Sequence, residues 1–376
     1  MEDVPEFDHA HPHERGRRSM PVVVLTAVDP VLGNALTTSL LLDAEEAVAL
    51  RYELVPESTV LRRLVVAAGG VIEDERVDLD HPCVSCAMRE DATAVLARLA
   101  RTPGIGAALL APPGSADPAV VVGALRPHQD LWHLAGATVV VDADAAVEDL
   151  LGDDTLAERG LRWGAGDGRS VGEALAAQIE FSDRIVLEGD PAGPGAELLE
   201  HLRAPDQHRV EGLYALEAAA LFGGALDHAR ALRRRDARCV EPHDGPAVHG
   251  TWTLDLSSPR PFHPDRLLEN IEALGGGRLR GRGRFWVPDR PDSICQWDGA
   301  GGQVSIGAVW RTGTELPTTR LVVTGIDPAD RRRVARAFER SLLSEREWAD
   351  GLAPWLGAED RLAPWLGERH GERRPG

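Results

Sequence analysis

From Met20 onward, short apolar runs alternate with stretches whose apolar positions recur at helical spacing. PVVVLTA, GIGAALLA, ATVVVDAD and RIVLEGD read as strands apolar on both faces. Between them NALTTSLLLDA, REDATAVLARLAR and SVGEALAAQIEF carry the period of amphipathic helices. Strands buried on both faces and separated by helices predict an α/β domain with a doubly wound, mostly parallel sheet of at least five strands. Beyond a stretch rich in proline, glycine and histidine the period changes. TWTLDLSS, GRGRFWVP, SICQWD and QVSIGAVW alternate, flanked by the helical FHPDRLLENIEAL and ADRRRVARAFERSLL, which predicts a smaller α+β domain.

These patterns divide the chain into a flexible leader (1–19), an α/β domain (20–237), a linker (238–247), an α+β domain (248–348) and a tail (349–376). The tail repeats LAPWLG at Leu352–Gly357 and Leu362–Gly367. It is expected to be a mobile end, with docking through Trp355 and Trp365 as the alternative. No apolar stretch approaches a membrane span, and the N-terminus is acidic where a signal peptide is basic and then apolar, so a cytoplasmic protein is expected.

Composition narrows the chemistry. The 376 residues carry 41 basic and 60 acidic side chains, a net charge of -19, which opposes nucleic acid and anionic membranes as partners. Every basic residue is arginine apart from the histidines, so mechanisms needing lysine are excluded. Four cysteines are too few for a disulfide framework, and Cys83 and Cys86 form a close C-x-x-C pair. Two thiolates at this spacing suit zinc or Cu(I), with His81 two residues upstream as a third ligand. Two other readings stand beside this one: small buried thiols at a helix start, or a redox pair. His9, His11 and His13 in the leader and His243 and His249 near the linker read as solvated loop histidines. Asp117 and Asp142 read as cap or turn residues.

The segment after the first strand, LTAVDPVLGNALTT, occupies the place of a phosphate-binding loop. Gly33 is its only glycine, Pro30 removes a backbone donor, and Leu36 precedes the threonines where that loop carries lysine. Free N–H groups at a helix N-terminus still attract an anion, making Gly33, Asn34, Thr37 and Thr38 candidates for weak nucleotide contact.

From about Met20 to Trp348 the chain resembles the CobW family of metal-associated GTPases. The resemblance rests on that opening, on PCVSCAMRED, PPGSADPAVV, VVVDA and QIEFSDRIVL, and then on HGTW, PFHPDRL, RGRFWV and RLVVTGID. It implies a P-loop-GTPase-like domain binding zinc or another transition metal at the cysteine segment, coupled to a CobW C-terminal domain. It also implies a metallochaperone or zinc-homeostasis role toward a client metalloprotein. The chain departs from the family pattern at several points. Ser85 stands where the middle cysteine would be; Ala111, Pro112, Pro113 and Gly114 replace the Glu-Thr-Ser/Thr-Gly segment; and Glu188, Gly189, Asp190 and Pro191 replace Asn-Lys-x-Asp. These departures predict a zinc-binding protein whose GTPase site has decayed. A GTPase retaining weak hydrolysis with GTP and magnesium, through Thr37 and a substitute arginine, is the alternative. A non-catalytic interaction protein is a further one.

Overall fold

A computed structural model describes residues 19–55, 58, 60–78, 83–128, 130–164, 166–311 and 317–367. The leader, with His9, His11 and His13, lies outside them, as does His81. The first sheet comprises β1 (Met20–Thr26), β2 (Ala47–Leu54), β3 (Leu61–Ala67), β4 (Gly70–Val77), β5 (Ala107–Ala111), β6 (Trp132–Asp142), β7 (Arg184–Glu188) and β8 (His208–Glu211). Its order is β4-β3-β2-β5-β1-β6-β7-β8. The pairs from β2 to β8 are parallel, and β3 and β4 extend the β2 edge antiparallel.

The apolar runs are explained by burial on both faces. In β1, Val22 and Val24 pack against the helices over 84–99 and 118–125, whereas Val23 and Leu25 meet helices Pro30–Asp43 and Ala218–Phe222 on the other face. Helices Ala146–Leu151, Val171–Phe181 and Pro194–Leu202 complete the first face beside β6 and β7. The doubly wound α/β sheet is thus present, larger than the pattern suggested.

The second sheet, entirely antiparallel, has the order β12-β11-β10-β13-β9, formed by β9 (Trp252–Ser258), β10 (Leu279–Phe285), β11 (Ser293–Ala300), β12 (Gln303–Arg311) and β13 (Thr319–Gly325). Helices Pro264–Gly275 and Pro328–Ser341 cover one face around Phe262, Phe285, Trp297 and Phe338. The two sheets' domains meet through helix Val171–Phe181. Ser170 Oγ donates to Ala300 O at 3.3 Å, and a Cβ on Gly172 would lie 2.8 Å from the Gly301 nitrogen. Arg280 of β10, 3% exposed, bonds Glu180.

The mobile end expected for the tail is not found over residues 349–367. Leu362 and Leu366, four positions apart on one short helical turn, are buried in the core of the second domain. Arg290 fixes the turn by donating to Asp360 at 2.9 Å and to Leu366 O at 3.3 Å. Trp355 packs edge-on against His263 at 5.0 Å, whereas Trp365 remains 52% exposed. Docking therefore runs through leucines more than through the second tryptophan.

Candidate metal centre

Cys83 caps a helical stretch that runs through Val84–Ala87, widens into a π-turn at Met88–Ala92 and continues as Thr93–Leu99. Ala87, Met88, Ala92, Val95, Leu96 and Leu99 form its buried stripe, which leaves Cys83 and Cys86 half-buried near the surface. The extended backbone at Cys83 (φ -143°) turns its side chain back over the first turn, where Sγ accepts the Cys86 N–H at 3.3 Å. A guanidinium nitrogen of Arg89 lies 3.7 Å from the Cys86 sulfur. The thiol of Cys86, the N–H groups of Cys86 and Ser85, and Arg89 together hold the Cys83 thiol below its ordinary range against the opposing effect of burial. Cys86 is pushed up, because its proton is shared with Cys83, by burial and by the neighbouring sulfur's charge. Of the two, Cys83 is therefore the more readily deprotonated. A thiophilic cation binding the two sulfurs would displace their protons, so binding would weaken as pH falls.

This stretch is held to the sheet edge by ionic contacts. Asp91 in the π-turn accepts from Tyr52 Oη of β2 and from Arg63 of β3, and Arg63 also reaches Glu75 of β4. Arg98 grips Glu73 of β4 with two nitrogens, one at 2.7 Å. Tyr52 and Arg63 position the cysteines without touching them. The sequence pattern did not single them out, because their partners lie 39 and 28 residues away.

The donor chemistry fits a soft ion: two adjacent sulfurs, accessible from one side and supported by N–H and guanidinium donors. Among the described residues, no group of three or more His, Cys, Asp or Glu comes together as a metal site. A zinc ion on these two sulfurs would draw its further ligands from outside that set, from water or from a partner. His81 lies outside the described residues. His249 is committed elsewhere, its Nε2 bonding Ala192 O at 2.9 Å, and His243 lines a cleft between the two domains.

The candidate phosphate segment is a helix. Asp29 and Pro30 make a strong helix start, and residues 30–43, including Gly33 and Asn34, are helical from Pro30. The free donors expected there are taken: Asp29 Oδ1 accepts the N–H of Val31 at 2.7 Å and of Leu32 at 3.3 Å. Thr37 Oγ1 donates to Gly33 O at 2.7 Å and Thr38 Oγ1 to Asn34 O at 2.8 Å, so the four candidate residues lie together but within the helix's own bonding. The adjoining cavity of about 260 Å³ is lined by Leu25, Pro30, Tyr52, Pro113 and Leu161, with Arg51 as its arginine. Arg51 is ion-paired with Glu53. After β7, Glu188 accepts the Leu213 N–H at 2.8 Å. Asp117 caps helix Pro118–Leu125 and receives two bonds from Arg235 at 2.6 and 2.8 Å, and Asp142 accepts the Asp144 N–H at 2.9 Å, in keeping with cap and turn roles.

A doubly wound sheet bearing a cysteine turn beside its antiparallel edge, followed by an antiparallel sheet backed by two helices, defines a two-domain protein of the CobW type. Residues 58–204 match the model of the CobW/HypB/UreG nucleotide-binding domain, and residues 251–342 match that of the cobalamin synthesis protein cobW C-terminal domain. The chain belongs to the CobW family. It is 28% identical over 343 residues to a zinc chaperone of Mycobacterium tuberculosis, covering 77% of this chain and 81% of that one. It is 25% identical over 260 residues to zinc-regulated GTPase metalloprotein activator 1 of Dictyostelium discoideum, covering 61% and 53%. Among solved structures, the Zn(II)-bound YjiA GTPase of E. coli aligns with 86% of this chain and 99% of its own at 16% identity and a TM-score of 0.32.

Proposed function

We propose that this protein is a zinc carrier of the cytoplasm that holds the ion on Cys83 and Cys86, passes it to a client metalloprotein and does so without GTP hydrolysis. The observation that carries the reading is the paired sulfurs at the helix start, with Cys83 Sγ accepting the Cys86 N–H. A reducing compartment keeps such thiols free for a metal. Similarity to proteins named for zinc delivery supports the choice of ion. Two protein sulfurs with exchangeable further ligands make an open site, which suits transfer better than storage.

The absence of hydrolysis is supported by the chain's lack of lysine and by the Asp29 carboxylate over the helix N-terminus. Phosphate charge would meet a carboxylate where a nucleotide-binding loop offers N–H groups and a lysine. The test is a zinc titration of the reduced full-length protein against a chromophoric chelator, with a parallel assay of GTP turnover. About one zinc per chain is expected. It should be lost in Cys83→Ser and Cys86→Ser, with GTP turnover at background with and without zinc. Undiminished zinc in both variants would refute the site, and magnesium-dependent turnover selective for GTP would refute the mechanism.

A further inference from the structure

A cluster of arginines lies far from Cys83 and Cys86 in sequence, in a cleft of about 380 Å³ between the two domains. Its walls are helix His228–Arg235 and the turn after helix Pro194–Leu202; β10 and β13 form another side, and Cys239–His243 passes along the rim. Five arginines line it against the carboxylates of Glu180, Asp206 and Glu241. On a chain of net charge -19 this local excess of cations runs against the composition.

Two of these arginines are fully employed. Arg234 donates to Asp206 at 2.8 Å and to the carbonyls of Glu180, Phe181 and Ser182 at 2.7 to 3.0 Å. Arg280 is bonded to Glu180, Asp298 and the Gly299 carbonyl. The other three are not. Arg282 donates one nitrogen to the Arg234 carbonyl, and its only carboxylate contact is a share in Glu180 Oε1, at 3.2 Å, an oxygen that already receives two nitrogens of Arg280. Arg230 stands 3.7 Å from Asp206 and 3.9 Å from Asp227, beyond hydrogen-bond reach. Arg233 makes no ion pair among the described residues.

We propose that this cleft binds a small organic polyanion, a phosphate ester or a di- or tricarboxylate, gripped by Arg230, Arg233 and Arg282. Guanidinium groups bind such oxyanions with paired, charge-assisted hydrogen bonds. Leu202, Pro205, Val240 and Val322 supply an apolar wall for a carbon skeleton, and the volume falls in the range of metabolite sites. An anion there would touch helix His228–Arg235 of one domain and β10 of the other, so binding would stiffen the joint between them. The site is independent of the zinc reading.

The test uses reduced full-length protein at about 0.15 M salt, titrated calorimetrically with pyrophosphate and separately with citrate, so that the two arms distinguish phosphate from carboxylate ligands. Cys239, half-exposed on the cleft wall, provides a second readout through its alkylation rate, mapped by peptide mass spectrometry. Saturable binding of at least one probe with slowed Cys239 alkylation is expected. Arg230→Gln and Arg233→Gln, both at exposed positions, should each weaken it about tenfold. Arg282→Gln should do the same where it folds, and Arg331→Gln, on an exposed helix face of the second domain, should leave it unchanged. Failure of both probes to bind or to protect Cys239 at millimolar concentration would overturn the proposal, as would an Arg331→Gln effect equal to those of the cleft variants.

Discussion

Replacing Glu180 by alanine should uncouple the two domains, and the size of the effect follows from how few partners remain. The Glu180 side chain is 9% exposed and Arg280 is 3% exposed. Arg280 bonds Glu180 through Nε at 3.0 Å and again through Nη2, while Arg282, 17% exposed, sits 3.2 Å away. After Glu180→Ala, Arg280 keeps Asp298 and two carbonyls, but Arg282 keeps only the Arg234 carbonyl. Removing one member of a buried ionic cluster costs about 3–5 kcal/mol, because the partner charge stays desolvated. The surviving Asp298 contact places this case near the lower end, about 3 kcal/mol. Glu180→Gln, which retains an acceptor, should cost roughly half as much.

The assay is equilibrium urea unfolding followed by far-UV circular dichroism and tryptophan fluorescence. The two probes should give separated transitions in Glu180→Ala if Glu180 links the domains. The double variant Glu180→Leu/Arg280→Met should recover part of the loss, since an apolar pair leaves no buried charge. A destabilisation below about 1 kcal/mol with coincident transitions would refute the argument, because that is the range of an exposed ion pair.

Leu362→Ala should destabilise the second domain by about 2–4 kcal/mol, measured by thermal unfolding, because Leu362 is fully buried in its core. Trp365→Ala, at an exposed site, should shift it by less than about 0.5 kcal/mol, and equal effects would contradict the docking of the tail. Asp29→Ala should cost about 1 kcal/mol as a lost N-cap and, with no lysine in the segment, should confer no GTP affinity in equilibrium dialysis. Measurable GTP binding on that one change would show that the carboxylate alone had excluded nucleotide. Glu197 is held below its ordinary value of 4.5: burial pushes it up, but the N–H groups of His249 and Thr251, at 2.8 and 3.0 Å, outweigh burial. A carboxyl lowered on folding stabilises above its unfolded value and loses that contribution as pH falls through the folded one. Glu197→Gln should therefore be less stable than wild type at pH 7 and approach it at pH 3, and a gap independent of pH would exclude the charge as its source.

How much of this was legible in sequence depends on the range of the causes. β1 was plain because VVVL is buried on both faces, and the central parallel strands share that signature. β4 is not legible as a strand: GVIEDERV lies at a sheet edge, mostly exposed, and its charges pair with Arg62 and Arg63 across the β3–β4 pairing and with Arg98 of the helix over 93–99. The cysteine spacing was readable, as was its place before an amphipathic helix. That Cys83 would cap the helix and share a proton with Cys86 required the backbone turn. In the phosphate segment the Asp29-Pro30 start was a local signal for a helix, outweighed in the reading by the motif's position after the first strand. The tail's leucines at i and i+4 form too short a turn for periodicity to register.

Sulfur ligation of the metal by Cys83 and Cys86 is reported directly by the absorption spectrum of cobalt(II). Reduced full-length protein titrated with cobalt(II) should develop thiolate-to-cobalt charge-transfer absorption that saturates near one equivalent and is displaced by zinc. The band should vanish in the Cys83→Ser/Cys86→Ser double variant and persist in Cys239→Ser. A band that survives the double variant, or one abolished by Cys239→Ser, would contradict the assignment.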